Sequence, residues 1–116
     1  MYKLRYKLWL ETSGKAFGIG PYKLMQGIRR HGSLSQAAKD LKMSYSQAHT
    51  MMKKLSRNLG FELISSHTGG IGGGETRLTP EADKLMKQYE EFYEECSVFI
   101  EKSFSAHFLE GEDRHE

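Results

Sequence analysis

The sequence predicts a mainly α fold with a small β-sheet. Three observations predict it. Two helix-start signatures, Ser33-Leu34-Ser35-Gln36 and Ser44-Tyr45-Ser46-Gln47, stand eleven residues apart. A glycine-rich run at 68–74 separates two short strand candidates. A long segment with heptad spacing closes the chain. A chain of 116 residues has room for one domain, expected over 1–109, with 110–116 as a disordered polar tail.

The elements follow in order. Leu4, Tyr6, Leu8 and Leu10 alternate with Arg5, Lys7, Trp9 and Glu11, the period of a strand with one buried face. Ser13-Gly14-Lys15 marks a turn, and Gly18-Ile19-Gly20 a second irregular stretch. A helix over 21–31 starts with Pro21 at its first position. Arg29, Arg30 and His31 fill its last turn, and Gly32 closes it. The two serine signatures read as capping boxes, Ser33 with Gln36 and Ser44 with Gln47. The first opens a helix over 34–41 and the second a longer one over 45–58, joined by Lys42-Met43-Ser44. Phe61–Ile64 and Thr76–Leu78 are the strand candidates. Five glycines in the seven residues 68–74 exclude a regular element there. Thr79-Pro80-Glu81 is a helix start, with acids near the positive end of the dipole. The last helix should span 80–104, with Ala82, Leu85, Tyr89, Phe92, Cys96 and Phe99 in its seam.

Two short helices joined by a tight turn, the second longer and basic, form a helix-turn-helix. Ala37, Ala38 and Ala48 let the pair approach closely. The outer face of the second helix carries Tyr45, Ser46, Gln47, His49, Thr50, Lys53 and Lys54. These are the hydrogen-bonding and cationic groups that base edges and phosphates require, on an element that a major groove admits. The alternative is an ordinary solvated face. Tyr45 is open between base contact and packing on the turn. Ser33, Ser35, Gln36 and Ser44 stand at helix N-termini, where capping explains them and a phosphate is a further candidate. The strand–glycine–strand segment at 61–79 reads as a wing. Backbone N–H groups of the glycine-rich tip, Gly69, Gly70, Gly72 and Gly73, would approach phosphates, with Thr68 and His67 as further side-chain donors. The spacing fits neither nucleotide-binding glycine motif.

Charge sharpens this expectation. Residues 1–60 carry 12 Lys and Arg against two acids, a net of +10, whereas 61–116 carry five against 13, a net of −8. Such asymmetry suggests that one half meets a polyanion. The histidines lack paired metal-ligand spacing, and no nucleophile–base motif is present, so neither metal, cofactor nor enzyme chemistry is expected. Glu90-Glu91 and Glu94-Glu95 read as a solvated face. No apolar run approaches the roughly 18–20 residues that span a bilayer. Met1–Arg5 does not resemble a secretory signal, and the lone Cys96 fits a reducing cytoplasm.

The run at 32–48 resembles the winged helix-turn-helix of LysR-type transcription regulators. Ser44-Tyr45, the glycine run at 68–74 and Leu78-Thr79 make roughly residues 4–105 similar to the N-terminal DNA-binding domain of the ModE family of molybdate-responsive regulators. The resemblance implies a dimer, with recognition at 45–58, a wing tip at 68–74 and a long C-terminal dimerisation helix. The family's C-terminal molbindin domains have no counterpart in this sequence. Molybdate sensing by the chain itself is therefore not expected, and no effector ligand is identifiable.

The expectation is a cytoplasmic, homodimeric, sequence-specific regulator of transcription bound to double-stranded DNA. Its dimer surface would hold Leu85, Tyr89, Phe92, Tyr93, Cys96, Phe99 and Ile100. Two rivals remain: a winged-helix protein-interaction module without DNA affinity, and an oxyanion or small-molecule binder at the dimer interface.

Overall fold

The computed structural model describes residues 1–67 and 75–109. The chain forms β1 (Leu10–Glu11), β2 (Lys15–Phe17), α1 (Ile19–His31), α2 (Leu34–Asp40), α3 (Tyr45–Leu59), β3 (Ile64–His67), β4 (Glu75–Leu78) and α4 (Pro80–Phe104). A π-helical turn, Ser105–Leu109, extends α4 past its expected end. β1–β2 and β3–β4 are separate antiparallel pairs. Among the described residues no helix is long and apolar enough to cross a membrane.

The expected strand over 3–11 is reduced to its last two residues. Alternation survives before it: Leu4, Tyr6 and Leu8 are half-buried, and Arg5, Lys7 and Trp9 are exposed. The buried face lies on a helix instead of a strand. Tyr89 Oη donates to the Leu8 carbonyl at 2.8 Å, and Tyr6 Oη donates to Ser97 Oγ at 2.7 Å. Tyr6 also stacks on Tyr93, and Tyr2 meets Phe108 edge-on. This arm covers part of the long apolar side of α4. Leu10, expected inward, is 39% exposed.

The hairpin β1–β2 supplies Ala16 and Phe17, both fully buried. Phe17 meets Tyr89 edge-on with ring centroids 5.0 Å apart. α1 starts two residues earlier than expected, with Gly18 as N-cap. Pro21 is tolerated because first-turn N–H groups lack helical partners. A Cβ on Gly18 would lie 2.9 Å from that of Trp9, so glycine lets the arm pass. Gly32 ends α1 at φ 66°, and its carbonyl accepts from Thr76 N at 3.0 Å, which fastens β4 to α1.

The core joins Leu24, Met25 and Ile28 of α1, Leu34, Ala37 and Ala38 of α2, and Ala48, Met52 and Leu55 of α3. Ala82, Met86 and Tyr89 of α4 complete it with Leu63. The expected strand over 61–64 begins only at Ile64. Leu63 N donates instead to the buried Ser56 hydroxyl, and its carbonyl accepts from Thr79 N. That segment ties the end of α3 to the start of α4. β3 and β4 then pair from Ile64↔Leu78 to His67↔Glu75. Thr79 caps α4 by accepting from Ala82 N at 3.1 Å. The helix rises about 37 Å at 1.5 Å per residue, and its length makes the molecule elongated, 68 × 29 × 20 Å.

α1 and α2 touch where Gly27 faces Ala37. A Cβ on Gly27 would lie 2.8 Å from the Ala37 Cβ and 3.1 Å from its Cα. Alanine would otherwise favour a helix by about 0.5–1 kcal/mol. Overpacking against backbone costs about 1–3 kcal/mol and decides the sign. Gly27→Ala is expected to lower the thermal midpoint. A midpoint equal to or above that of the parent chain contradicts this contact.

Candidate nucleic-acid interface

The site begins with how α2 holds α3. Ser33 accepts from Gln36 N at 3.0 Å, but the expected reciprocal bond is missing. The Gln36 amide donates to Asp40 Oδ1 instead, at 3.2 Å. His31 Nε2 lies 2.7 Å from Asp40 Oδ2 and ties the end of α1 to that of α2. Hydrogen bonds from His31 and then Gln36 hold the Asp40 carboxyl below the usual carboxylate range. In the turn, Leu41, Lys42 and Met43 donate backbone N–H groups to carbonyls of Ala38 and Lys39. Lys42 takes the left-handed conformation there, with φ 57°.

α3 starts with the full capping box. Ser44 Oγ accepts from Gln47 N, and Gln47 Oε1 accepts from Ser44 N, both at 3.0 Å. Gln47 is exposed, yet its side-chain carbonyl is engaged, which leaves its NH2 for an external partner. Tyr45 does not pack on the turn. It is 55% exposed and stacks on half-buried His49, centroids 5.8 Å apart.

Ser46, Thr50, Lys53, Lys54 and Arg57 are exposed. Among the described residues, none of their side chains has a hydrogen-bond or ion-pair partner. α3 contains no acid to neutralise its cations. The face therefore offers hydroxyl donors and acceptors, one free amide and three cations to an outside partner. Ser33 is half-buried and engaged as a cap, while Ser35 and Gln36 are exposed nearby. Thr68, Gly69, Gly70, Gly72 and Gly73 lie outside the described residues, as does the tail 110–116.

Sequence reasoning missed the neighbour of this face. The β1–β2 hairpin is pinned to the end of α3. Asn58 Nδ2 donates to the Lys15 carbonyl at 2.8 Å, and Thr12 Oγ1 donates to the Asn58 carbonyl at 2.7 Å. Between arm, hairpin and α3 lies an open groove of about 910 Å³. Of the basic residues at 3, 5 and 7 only Lys7 lines it, and no local pattern joins Lys7 to Lys15, Lys42 and Lys54.

α4 separates its expected seam into two faces. Tyr89 is only 3% exposed and packs against Phe17, Tyr22 and Tyr93, so it belongs to the core and is not available to a second copy. The cause is the wide apolar stripe, one side of which faces α1. Tyr93 is covered in part by Tyr6. Leu85, Cys96 and Ile100 are half-buried, while Phe92 and Phe99 are 46% and 72% exposed. Tyr22 bonds Glu90, and burial followed by that carboxylate pushes its hydroxyl up to about 12. Arg29 bridges Asp83 at 3.3 Å and Glu90 at 3.2 Å, locking α4 to α1. No group of three or more His, Cys, Asp or Glu among the described residues is placed to hold a metal.

The sequence pattern of bacterial regulatory helix-turn-helix proteins of the lysR family matches residues 22–83. The transcriptional regulator ModE of Haemophilus influenzae is 35% identical over 68 residues, 59% of this chain and 27% of that protein. The molybdenum-pterin-binding protein MopB of Rhodobacter capsulatus is 32% identical over 80 residues, 69% of this chain and 30% of its own. The DNA-binding transcriptional dual regulator ModE of Escherichia coli K12 is 34% identical over 67 residues, 58% of this chain and 26% of that protein. The chain thus spans less than a third of these relatives. In fold it resembles the CbnR DNA-binding domain solved with DNA, at TM-score 0.58 and 21% identity, over 75% of this chain and 94% of that one. It also resembles oxidized OxyR of Corynebacterium glutamicum, at TM-score 0.54 and 19% identity, over 72% and 26% of the two chains.

The capping box makes a local prediction. Ser44→Ala should cost about 1 kcal/mol, within the 0.5–2 kcal/mol span of N-cap losses. Urea unfolding checks it, and an unchanged midpoint would mean that the box does not hold the start of α3.

Proposed function

Because the matched pattern covers residues 22–83 of 116, the chain belongs to the lysR family of bacterial regulatory helix-turn-helix proteins, and we propose that it is a sequence-specific, double-stranded DNA-binding regulator of transcription. One observation carries the reading. The outer side of α3 presents Ser46, Thr50, Lys53, Lys54 and Arg57 to solvent without internal partners among the described residues, on a helix held by its other side. A major groove admits such a helix, and its phosphates complement the cations. The regulator descriptions of the ModE relatives support the reading, for a chain that spans about a quarter of them.

α3 reads base edges through Gln47, His49, Thr50 and Ser46. Lys53, Lys54 and the residues around Ser33, Ser35 and Gln36 hold phosphates, with the 68–74 loop as a wing. The protein works in the cytoplasm as a homodimer. Two copies meet through the exposed stripe of α4 around Phe92 and Phe99, which water contacts in the single chain. A two-fold pair would set two α3 helices about 34 Å apart, one turn of DNA.

Mobility-shift titration of duplex DNA at low and moderate salt tests the reading. Binding should weaken steeply with salt. Lys53→Ala with Lys54→Ala should weaken binding to every sequence and reduce the salt slope by about 2. Gln47→Ala or His49→Ala should change sequence preference instead. Absence of binding at low salt contradicts the proposal. Phe92→Glu with Phe99→Glu should yield a monomer by light scattering, and a persistent dimer would place the interface elsewhere.

A further inference from the structure

The groove beside α3 is walled by Lys7 and Trp9 of the arm, Lys15 of the hairpin, Lys42 of the turn, and Thr50 and Lys54 of α3. Four of its lining residues are lysines, and none is an Asp or Glu. Lys7, Lys42 and Lys54 form no ion pair among the described residues. Lys15 Nζ sits 5.6 Å from the centroid of the Trp9 ring. The nearby acid, Glu11, accepts from Trp9 Nε1 at 2.7 Å and does not line the groove. Four like charges around one concavity repel one another unless a polyanion neutralises them.

The groove is continuous with the face that α3 turns to solvent. Ser46, Gln47, Thr50 and Lys54 belong to both. It is also fixed in register with that face, because Asn58 ties the hairpin to the end of α3. No residue of β3 or β4 lines it, so it is distinct from the wing strands.

We propose that this groove is a second DNA-backbone contact, in which Lys7, Lys15 and Lys42 grip the phosphate strand flanking the major groove that α3 enters. This rests on the DNA-binding reading above. A sugar-phosphate backbone matches the site on two counts. It is an extended polyanion suited to an open, acid-free channel, and its sugars offer apolar edges to Trp9 and Met43. Lys54 stands at the junction, so the strand passes from the face of α3 into the groove. The Asn58 bonds to Lys15 and Thr12 hold the hairpin, and with it Lys15, beside the end of α3.

The test is the salt dependence of binding to a random-sequence duplex, read by fluorescence anisotropy with the full chain. Lys7→Ala, Lys15→Ala and Lys42→Ala together should reduce the slope of log affinity against log salt by about 2–3. Affinity at moderate salt should fall at least tenfold, while the preferred sequence selected from a random pool stays the same. The triple Lys→Arg variant should keep the parental slope. Lys84→Ala, Lys87→Ala and Lys102→Ala on α4 remove the same charge elsewhere and should leave the slope unaltered. A groove variant that binds like the parent overturns the proposal and leaves the DNA-binding reading standing. Equal losses in the two alanine triples also overturn it, since net charge would then explain the effect. A parent chain that binds no duplex at low salt defeats both.

Discussion

The exposed polar and cationic face beside the core depends on α3 being held by only one side. Ala48, Met52 and Leu55 are buried against α1 and α2, and the small residues Gly27, Ala37 and Ala38 bring those helices close enough to seat it. The capping box at Ser44 and Gln47 satisfies its first backbone donors, so its N-terminal turn can face water. Among the described residues, nothing hydrogen-bonds or ion-pairs with the opposite side's Ser46, Thr50, Lys53, Lys54 or Arg57 side chains. That side stays exposed, so the helix is part core and part surface.

The same division of one helix into two sides governs α4. Ala82, Met86 and Tyr89 enter the core, and Arg29 holds this end through Asp83 and Glu90. Beyond it, α4 runs past the globular part with the arm laid along it through Tyr6 and Leu8. Phe92 and Phe99 stay uncovered on another side. The arm thus links the two ends of the molecule. It rests on α4, passes Gly18, enters the β1–β2 hairpin and finishes against Asn58 beside α3. The basic first half and the acidic second half of the sequence become two regions of one surface, cations around α3 and carboxylates along α4.

The helices were legible because their ends carry local chemistry. Ser44, Gly60 and Thr79 mark boundaries by hydrogen bonding and φ preference, properties that act within a few residues. α3 ends at Leu59, one residue past the expected 58, and α2 at Asp40, one before the expected 41. The arm was not legible in the same way. Alternation at Leu4, Tyr6 and Leu8 reports which side is covered, but not whether a strand or a helix covers it. The long-range bonds from Asn58 to Lys15 and from Tyr89 to Leu8 join residues distant in sequence, so no short pattern announces them. For the same reason the outer face of α3 could be read from periodicity, while the lysine groove beside it needed three dimensions. Tyr89 fitted the heptad seam, yet the aromatic rings of Phe17 and Tyr22 enclose it.

Amide chemical-shift mapping of the full chain during titration with duplex DNA shows directly whether α3 is the face that DNA meets. Shifts should concentrate on α3 from Tyr45 to Arg57 and on the neighbouring hairpin, with the acidic residues of α4 nearly silent. Shifts confined to α4, with α3 unperturbed at saturating DNA, would contradict this role for α3.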